Sequence, residues 1–219
     1  MEVNGFNITV GADPEFFVAQ GGKPVSAFGL VGGNKHQPLK VPNGAVQVDG
    51  MALEFNINPA NDYEEFARNL NSVLKTIRGM VPKYEYYPFP VAQFGAEYIA
   101  SQPEEAKMLG CEPDYNAYSG TVNPKPNGEI PFRSAAGHIH IGWTDGVDPY
   151  DAGHLDACRM VAKAMDKHLG LLSLLWDTDQ DRRKLYGKAG CFRPKPYGME
   201  YRTLSNAWVS EARSYKLIY

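Results

Sequence analysis

The chain has little cysteine, no long apolar run and no excess of positive charge, and each shortage removes a class of protein. Its three cysteines, Cys111, Cys158 and Cys191, are widely spaced, odd in number and without a Cys-x-x-Cys pair. A disulfide framework is therefore not expected, and a reducing cytoplasm is the expected setting. The longest apolar stretch, residues 169–176, falls short of the roughly 20 residues that span a bilayer, so it suits a buried helix and no membrane association is expected. The N-terminus shows no basic start followed by an apolar run, so no signal peptide is expected. A net charge of −3 argues against a dedicated nucleic-acid binder, which is usually basic. Neither Gly-x-Gly-x-x-Gly nor Walker spacing occurs, and the glycine-rich stretch 29–44 reads as a loop. There is no serine nucleophile elbow, no catalytic context around a cysteine, no internal repeat and no low-complexity tract.

What is present is an ordinary globular composition. Hydrophobic residues make up 43% and charged residues 21%, enough apolar material for a folded core. One domain over residues 1–219 is expected, with an irregular excursion at about 97–133 that suits a lid. Residues 10–19 read as a strand interrupted by Pro14, which points to an edge or a bulge. Residues 45–58 read as two strands around the Asp49-Gly50 turn. Asp62 and Glu65 form a capping box ahead of a helix whose apolar stripe is Phe66, Leu70, Val73, Leu74, Ile77 and Val81. Residues 84–94 hold a strand, residues 134–143 another, and residues 150–176 are helical, with Leu155, Cys158, Val161, Ala162 and Met165 on one face. A further helix starts within 207–219.

Four strand-like segments carry polar pairs at i and i+2, which places each pair on one face. They are Asp13 and Glu15, Glu54 and Asn56, His138 and His140, and Glu200 and Arg202. Their neighbours are mostly apolar. Carboxylates, imidazoles and a guanidinium on such faces cost too much to desolvate unless they pair or bind metal. Carboxylates suit magnesium or manganese, and a His-x-His strand is a recurrent divalent-metal arrangement. Arg182, Arg183, Lys184, Lys188, Arg193, Lys195 and Arg202 crowd one late segment. That segment reads either as a solvated run or as a phosphate-binding wall in which an arginine fork matches phosphate oxygens. Metal-assisted phosphoryl or acyl chemistry is the reaction class left.

Together the four segments resemble the glutamine synthetase superfamily and, more closely, the tailed-phage carboxylate–amine ligase (amidoligase) type 2 family. Gly11-Ala12-Asp13-Pro14-Glu15-Phe16-Phe17 is similar to the synthetases' Gly-Pro-Glu-Pro-Glu-Phe-Phe strand. Gly137-His138-Ile139-His140 resembles their Gly-Met-His-x-His, and Met199-Glu200-Tyr201-Arg202 their Ile-Glu-x-Arg. The order of the motifs is kept, and they span nearly the whole chain. Asp49 and Glu54 are the best candidates for the synthetases' middle glutamate pair, at a different spacing.

The resemblance implies an α+β fold: a curved, largely antiparallel catalytic sheet with helices on its outer face. It implies an ATP-dependent ligase, phage-encoded and working in the host cytoplasm, that joins a carboxylate to an amine through an acyl phosphate. Asp13, Glu15, Glu54, His138 and Glu200 are the implied ligands of magnesium or manganese. His140, Arg182, Lys188 and Arg202 are the implied nucleotide contacts, and Arg193, Arg202 and Glu54 the implied catalytic groups. Small-molecule or peptide carboxylates and amines are the implied substrates, with their identity and the oligomeric state left open. Two other readings stand beside it: a zinc or manganese hydrolase centred on His138 and His140, and a catalytically inactive binding or virion protein with the same fold.

Overall fold

The computed structural model describes residues 2–3, 6–108, 114–124, 130–210 and 214–219. Cys111 lies outside the described residues. The centre of the molecule is a ten-stranded sheet. In chain order its strands are β1 (Thr9–Gln20), β2 (Lys23–Val25), β3 (Leu39–Val41), β4 (Gly44–Asp49), β5 (Ala52–Ile57), β6 (Glu85–Tyr87), β7 (Tyr115–Asn116), β8 (Gly137–Gly142), β9 (Cys191–Lys195) and β10 (Gly198–Tyr201). Across the sheet the order is β7-β9-β10-β8-β1-β5-β4-β3, with β2 and β6 both paired to the far end of β1. Every pairing among these strands is antiparallel.

Period-two alternation divides the sheet into two faces of opposite character. Val10, Ala12, Phe16 and Val18 of β1 share one face with Leu53, Phe55, Ile57, Ile139, Met199 and Tyr201. Two helices cover that face, α1 (Tyr63–Met80) over β4 and β5, and α2 (Ala152–Met165) over β9 and β10. The intervening residues of the same strands point the other way and are the polar ones: Asp13, Glu15, Glu54, His138, His140 and Glu200. At one end of this second face a smaller apolar cluster of Phe17, Met51, Phe94, Ile99 and Ala106 forms where residues 91–107 fold over β1.

Local signals account for these elements. The Asp62 side chain accepts from the Glu65 amide at 2.7 Å, and the Glu65 carboxylate accepts in turn from the Asn61 amide at 2.8 Å, a capping box reaching one residue further back than the Asp62 amide. Phe66, Leu70, Val73 and Ile77 are fully buried. Pro14 lies in a central strand, and the expected bulge sits opposite it. Between the Val10–Ala60 bridge and the Glu15–Glu54 pair, the facing segment is one residue longer than β1 itself. Pro14, which has no amide to donate, occupies the place where regular pairing with β5 is interrupted.

Two expectations are corrected. The apolar stretch 169–176 is not a buried helix. Leu171, Leu174 and Leu175 are 62%, 50% and 79% exposed, and of its leucines Leu169 alone is buried. The period of α2 changes here: Asp166–Gly170 is a π-helical turn, and the Leu171–Ser173 turn that follows it is rotated outward. The excursion is less irregular than its composition suggests, with short helices at Ala96–Ala100 and Glu104–Lys107. Residues 109–113 and 125–129 of it lie outside the described residues. Among the described residues no helix is long and apolar enough to cross a membrane.

Candidate functional site

Register decides which polar side chains meet. His138 stands opposite Asp13, and His140 opposite Glu200 on the other side of β8. Glu200 stands opposite Arg193, Glu15 opposite Glu54, and Glu54 opposite Gln47. All these pairs lie on the face away from α1 and α2, so six neighbouring strands contribute to one polar row.

At its centre, Asp13 Oδ1 lies 3.3 Å from His138 Nδ1 and 3.1 Å from His140 Nε2. His138 Nδ1 is also 3.3 Å from Glu200 Oε1. Glu200 is completely buried and collects three cations. Arg202 Nη1 donates to Oε1 in a short contact, Lys195 Nζ is 3.1 Å from Oε2, and Arg193 Nη1 donates to Oε2 at 3.3 Å. Arg202 Nε faces Asp114 Oδ2 at 3.7 Å, and its guanidinium lies over the Tyr186 ring. The Tyr197 hydroxyl makes a short hydrogen bond with His140 Nδ1, which leaves Nε2 turned to Asp13. On the other side Glu15 Oε2 accepts from the Ala136 amide at 2.9 Å, and Gln47 donates to Glu54 at 2.5 Å.

The carboxylates differ in their response to burial. Burial pushes Glu15 up to about 7, with Asp49 adding to the push. Burial likewise raises Glu54 well above its ordinary value, with Asp13, Glu15 and Asp49 contributing. Burial would raise Asp13 too, but the imidazoles of His140 and His138 outweigh it and hold Asp13 well below the usual range. Burial, helped by Arg202, drives His138 down to about 4. Burial alone would lower His140, yet the Asp13 carboxylate overrides it and raises that imidazole.

Raised carboxylates crowded together are the signature of a site short of positive charge. The donor set fits a divalent cation. One oxygen each of Asp13 and Glu200 and one nitrogen of His140 lie within 4.8 Å of one another. His138 Nε2 is buried without a hydrogen-bond partner among the described residues. Glu15 and Glu54 stand on the same face, beyond Asp13.

Three cavities run along this face and share walls. The middle one, of about 300 Å3, is lined by Asp13, Glu15, Glu54, His138, Glu200 and Arg202 together with Arg193, Lys195, Asp49 and Lys35. A second, of about 480 Å3, opens beside it between Gly11, Ile57, Pro59 and Tyr197 and also touches Asp13, Glu54 and His140. A third, of about 100 Å3, lies at the Glu15, Asp49 and Arg202 end against Phe17, Met51, Phe132 and Arg133.

Of the residues singled out from sequence, Asp13, Glu15, Glu54, His138, His140, Arg193, Glu200 and Arg202 all line this row of cavities. Arg182 and Lys188 do not, which corrects their placement as nucleotide contacts. Arg182 is 1% exposed, and its guanidinium donates to the carbonyls of Thr203, at 2.8 Å, and Arg202, at 3.4 Å, so it is fixed against the backbone beside the site and lines none of the three cavities. Lys188 is exposed and lines a different cavity, on the helix side of the sheet. Lys35, Gln47 and Tyr197 are additions. Lys35 and Tyr197 come from loops with no local motif. Gln47 shares its face with Asp49 two residues on, and that spacing was its only sequence signal.

The family described as Phage phiEco32-like COOH.NH2 ligase-type 2 has a model that matches residues 127–218 of this chain. The matched stretch carries β8, β9 and β10, and with them His138, His140, Arg193, Glu200 and Arg202. This is the family that the strand motifs resemble. No curated protein matches the chain.

Proposed function

We propose that the protein is an ATP-dependent ligase that joins a carboxylate to an amine through an acyl phosphate, with magnesium or manganese as its resident ion. The carrying observation is the convergence of Asp13, His140 and Glu200 with Arg193 and Arg202 on one sheet face. The family match over the second half of the chain, with carboxylate and amine in its name, supports the same reading.

Asp13, His140 and Glu200 would hold an ion, with Glu15 and Glu54 beside them for a second. The ion supplies charge neutralisation for a transferring phosphoryl group, whose requirement is alignment and charge more than covalent help. In this reading the nucleotide base lies in the larger chamber against Tyr197, Ile57 and Pro59, with Lys35 over its phosphates. The γ-phosphate enters the middle chamber. Arg193 and Arg202 face it as fixed donors that strengthen as charge develops on its oxygens. The acceptor carboxylate approaches from the third chamber, where Arg202 and Arg133 stand. Its oxygen bonds to phosphorus as the bridge to ADP breaks. The amine then attacks the acyl carbon and phosphate leaves, and the Glu54 carboxylate, ionised once cations enter the site, takes the amine's proton.

ADP release measured against panels of carboxylates and amines tests this. Turnover that requires both a carboxylate and an amine is the expected result. Hydrolysis of ester or amide substrates with bound zinc and without nucleotide would overturn it in favour of a hydrolase. No turnover with any acceptor would favour an inactive binding protein.

A further inference from the structure

The short helix Asp181–Leu185 delivers one aromatic ring to the basic end of the cleft. Arg182 and Tyr186 are four residues apart, the spacing that sets two side chains together along a helical turn. The Tyr186 amide donates to the Arg182 carbonyl at 2.7 Å and closes that turn. The chain then turns away at Gly187, whose φ is +73° and where a Cβ would overlap Arg182 Nη1. The Tyr186 ring centroid lies 5.2 Å from Arg202 Cζ and 5.5 Å from Arg182 Cζ, with each guanidinium over the ring. At such distances a guanidinium is attracted to the negative face of an aromatic ring, most strongly where water is excluded. Both arginines are buried. The Tyr186 hydroxyl is buried too and has no hydrogen-bond partner among the described residues, so the ring and not the hydroxyl makes the contact.

The two guanidiniums under this ring are held differently. Arg182 is tied to two backbone carbonyls and cannot turn. Arg202 is hydrogen-bonded among the described residues through Nη1 alone, to Glu200 Oε1 and, at 3.4 Å, with His138 Nδ1. Its Nε has no hydrogen-bond partner among the described residues, and Asp114 stands 3.7 Å from it. A planar fork fixed at one nitrogen can pivot about that nitrogen and swing its other donors. Such a swing matters here, because Arg202 lines both the middle and the third cavity. A ring against the face of the fork opposes it. Tyr186 lines the third cavity beside Arg202.

We infer that Tyr186 is a positioning residue: its ring, seated against the fixed guanidinium of Arg182, holds the Arg202 fork in one plane at the junction of the middle and third cavities. There the fork can donate to both the transferring phosphoryl group and the acceptor carboxylate, and a small misplacement of a donor is enough to slow such a step. Arg182 acts from outside the cavities, by backing the ring. The effect on turnover rests on the ligase reading. The hold on Arg202 does not.

Nitrogen-15 relaxation of the full chain reads that hold directly. The buried Arg202 Nε–H gives a side-chain resonance, identified by its loss in Arg202→Lys. Its heteronuclear NOE should match the rigid backbone in wild type and in Tyr186→Phe, and should fall in Tyr186→Leu, which keeps apolar bulk but has no π face. In the ADP-release assay Tyr186→Leu should lower kcat by at least about tenfold while KM for ATP changes far less, and Tyr186→Phe should recover most of the loss. If Tyr186→Leu does not fold, 3,4,5-trifluorophenylalanine placed at the same position takes its part, since it keeps the shape of phenylalanine and removes the negative ring face. An Arg202 resonance as rigid in that variant as in wild type overturns the inference. So does Tyr186→Phe as impaired as Tyr186→Leu, or a loosened fork with unchanged kcat. A wild type that turns over no acceptor counts against the ligase reading alone, and the rigidity of Arg202 then decides the inference.

Discussion

His138 and His140 are one residue apart on one strand face, yet their environments push them in opposite directions. Burial and Arg202 keep His138 neutral, while Asp13 raises His140 despite burial. Glu15 gives the clearest pH dependence. Its folded value of about 7 stands above its ordinary value of 4.5. The folded protein therefore holds a proton there that the unfolded chain has released. Stability from this source is complete below the ordinary value and is lost as pH rises through the folded one. Glu15→Gln removes that loss. In metal-free protein, the melting temperature of Glu15→Gln relative to wild type should rise as pH goes from about 5 to about 8. A constant difference over that range would show that Glu15 ionises normally. Comparing the two proteins cancels the opposing contribution of His138, whose lowered value favours stability as pH rises. Arg202 is the second informative residue. One fork holds Glu200 and faces Asp114 together. Lysine is a point charge and cannot do both. Arg202→Lys should lower kcat by at least about tenfold in the ADP-release assay with the fold retained, and near-normal kcat would remove Arg202 from the reaction.

At the scale of elements, α1 was legible because cap and stripe agree, although Val81, read as the end of the stripe, is the C-cap beyond the last helical residue. Asp62→Ala removes the acceptor for the Glu65 amide and should cost about 1 kcal/mol in urea unfolding, with an unchanged m value. A cost near zero would mean that the Glu65 carboxylate alone secures the first turn. The strands bearing Asp13, Glu54, His138 and Glu200 were legible for the same kind of reason: polar pairs at i and i+2 between apolar neighbours leave one assignment of faces. What was not legible required knowledge of neighbours. The π-helical turn at Asp166–Gly170 has no period of its own in the sequence, so the leucines after it read as core, although Leu175 is 79% exposed. Arg182 and Arg202 belong to one basic run by composition. Burial against the Thr203 carbonyl separates the first from the cleft, and a strand position delivers the second to it.

At the scale of the whole molecule, the candidate ion ligands come from residues 13, 140 and 200, carried by β1, β8 and β10. These three strands are adjacent in the sheet but far apart in the chain. An unfolded chain does not bring such donors together, so an ion held by them would stabilise only the folded state. Saturation at a hundredfold over the dissociation constant contributes about 2.7 kcal/mol, which for a domain of this size raises the melting temperature by about 5–10 °C. Manganese or magnesium should produce that rise in wild type. In Glu200→Gln the carboxylate is replaced by a weaker neutral donor, so the rise should shrink at the same concentration. The same change leaves Arg193, Lys195 and Arg202 without their common anion, so the metal-free variant should itself melt lower than wild type, by the cost of breaking a buried charge cluster from one side. The two effects separate in one set of melts. A lower metal-free melting temperature with an undiminished metal-dependent rise would place the ion elsewhere and leave Glu200 as the anchor of the basic wall alone.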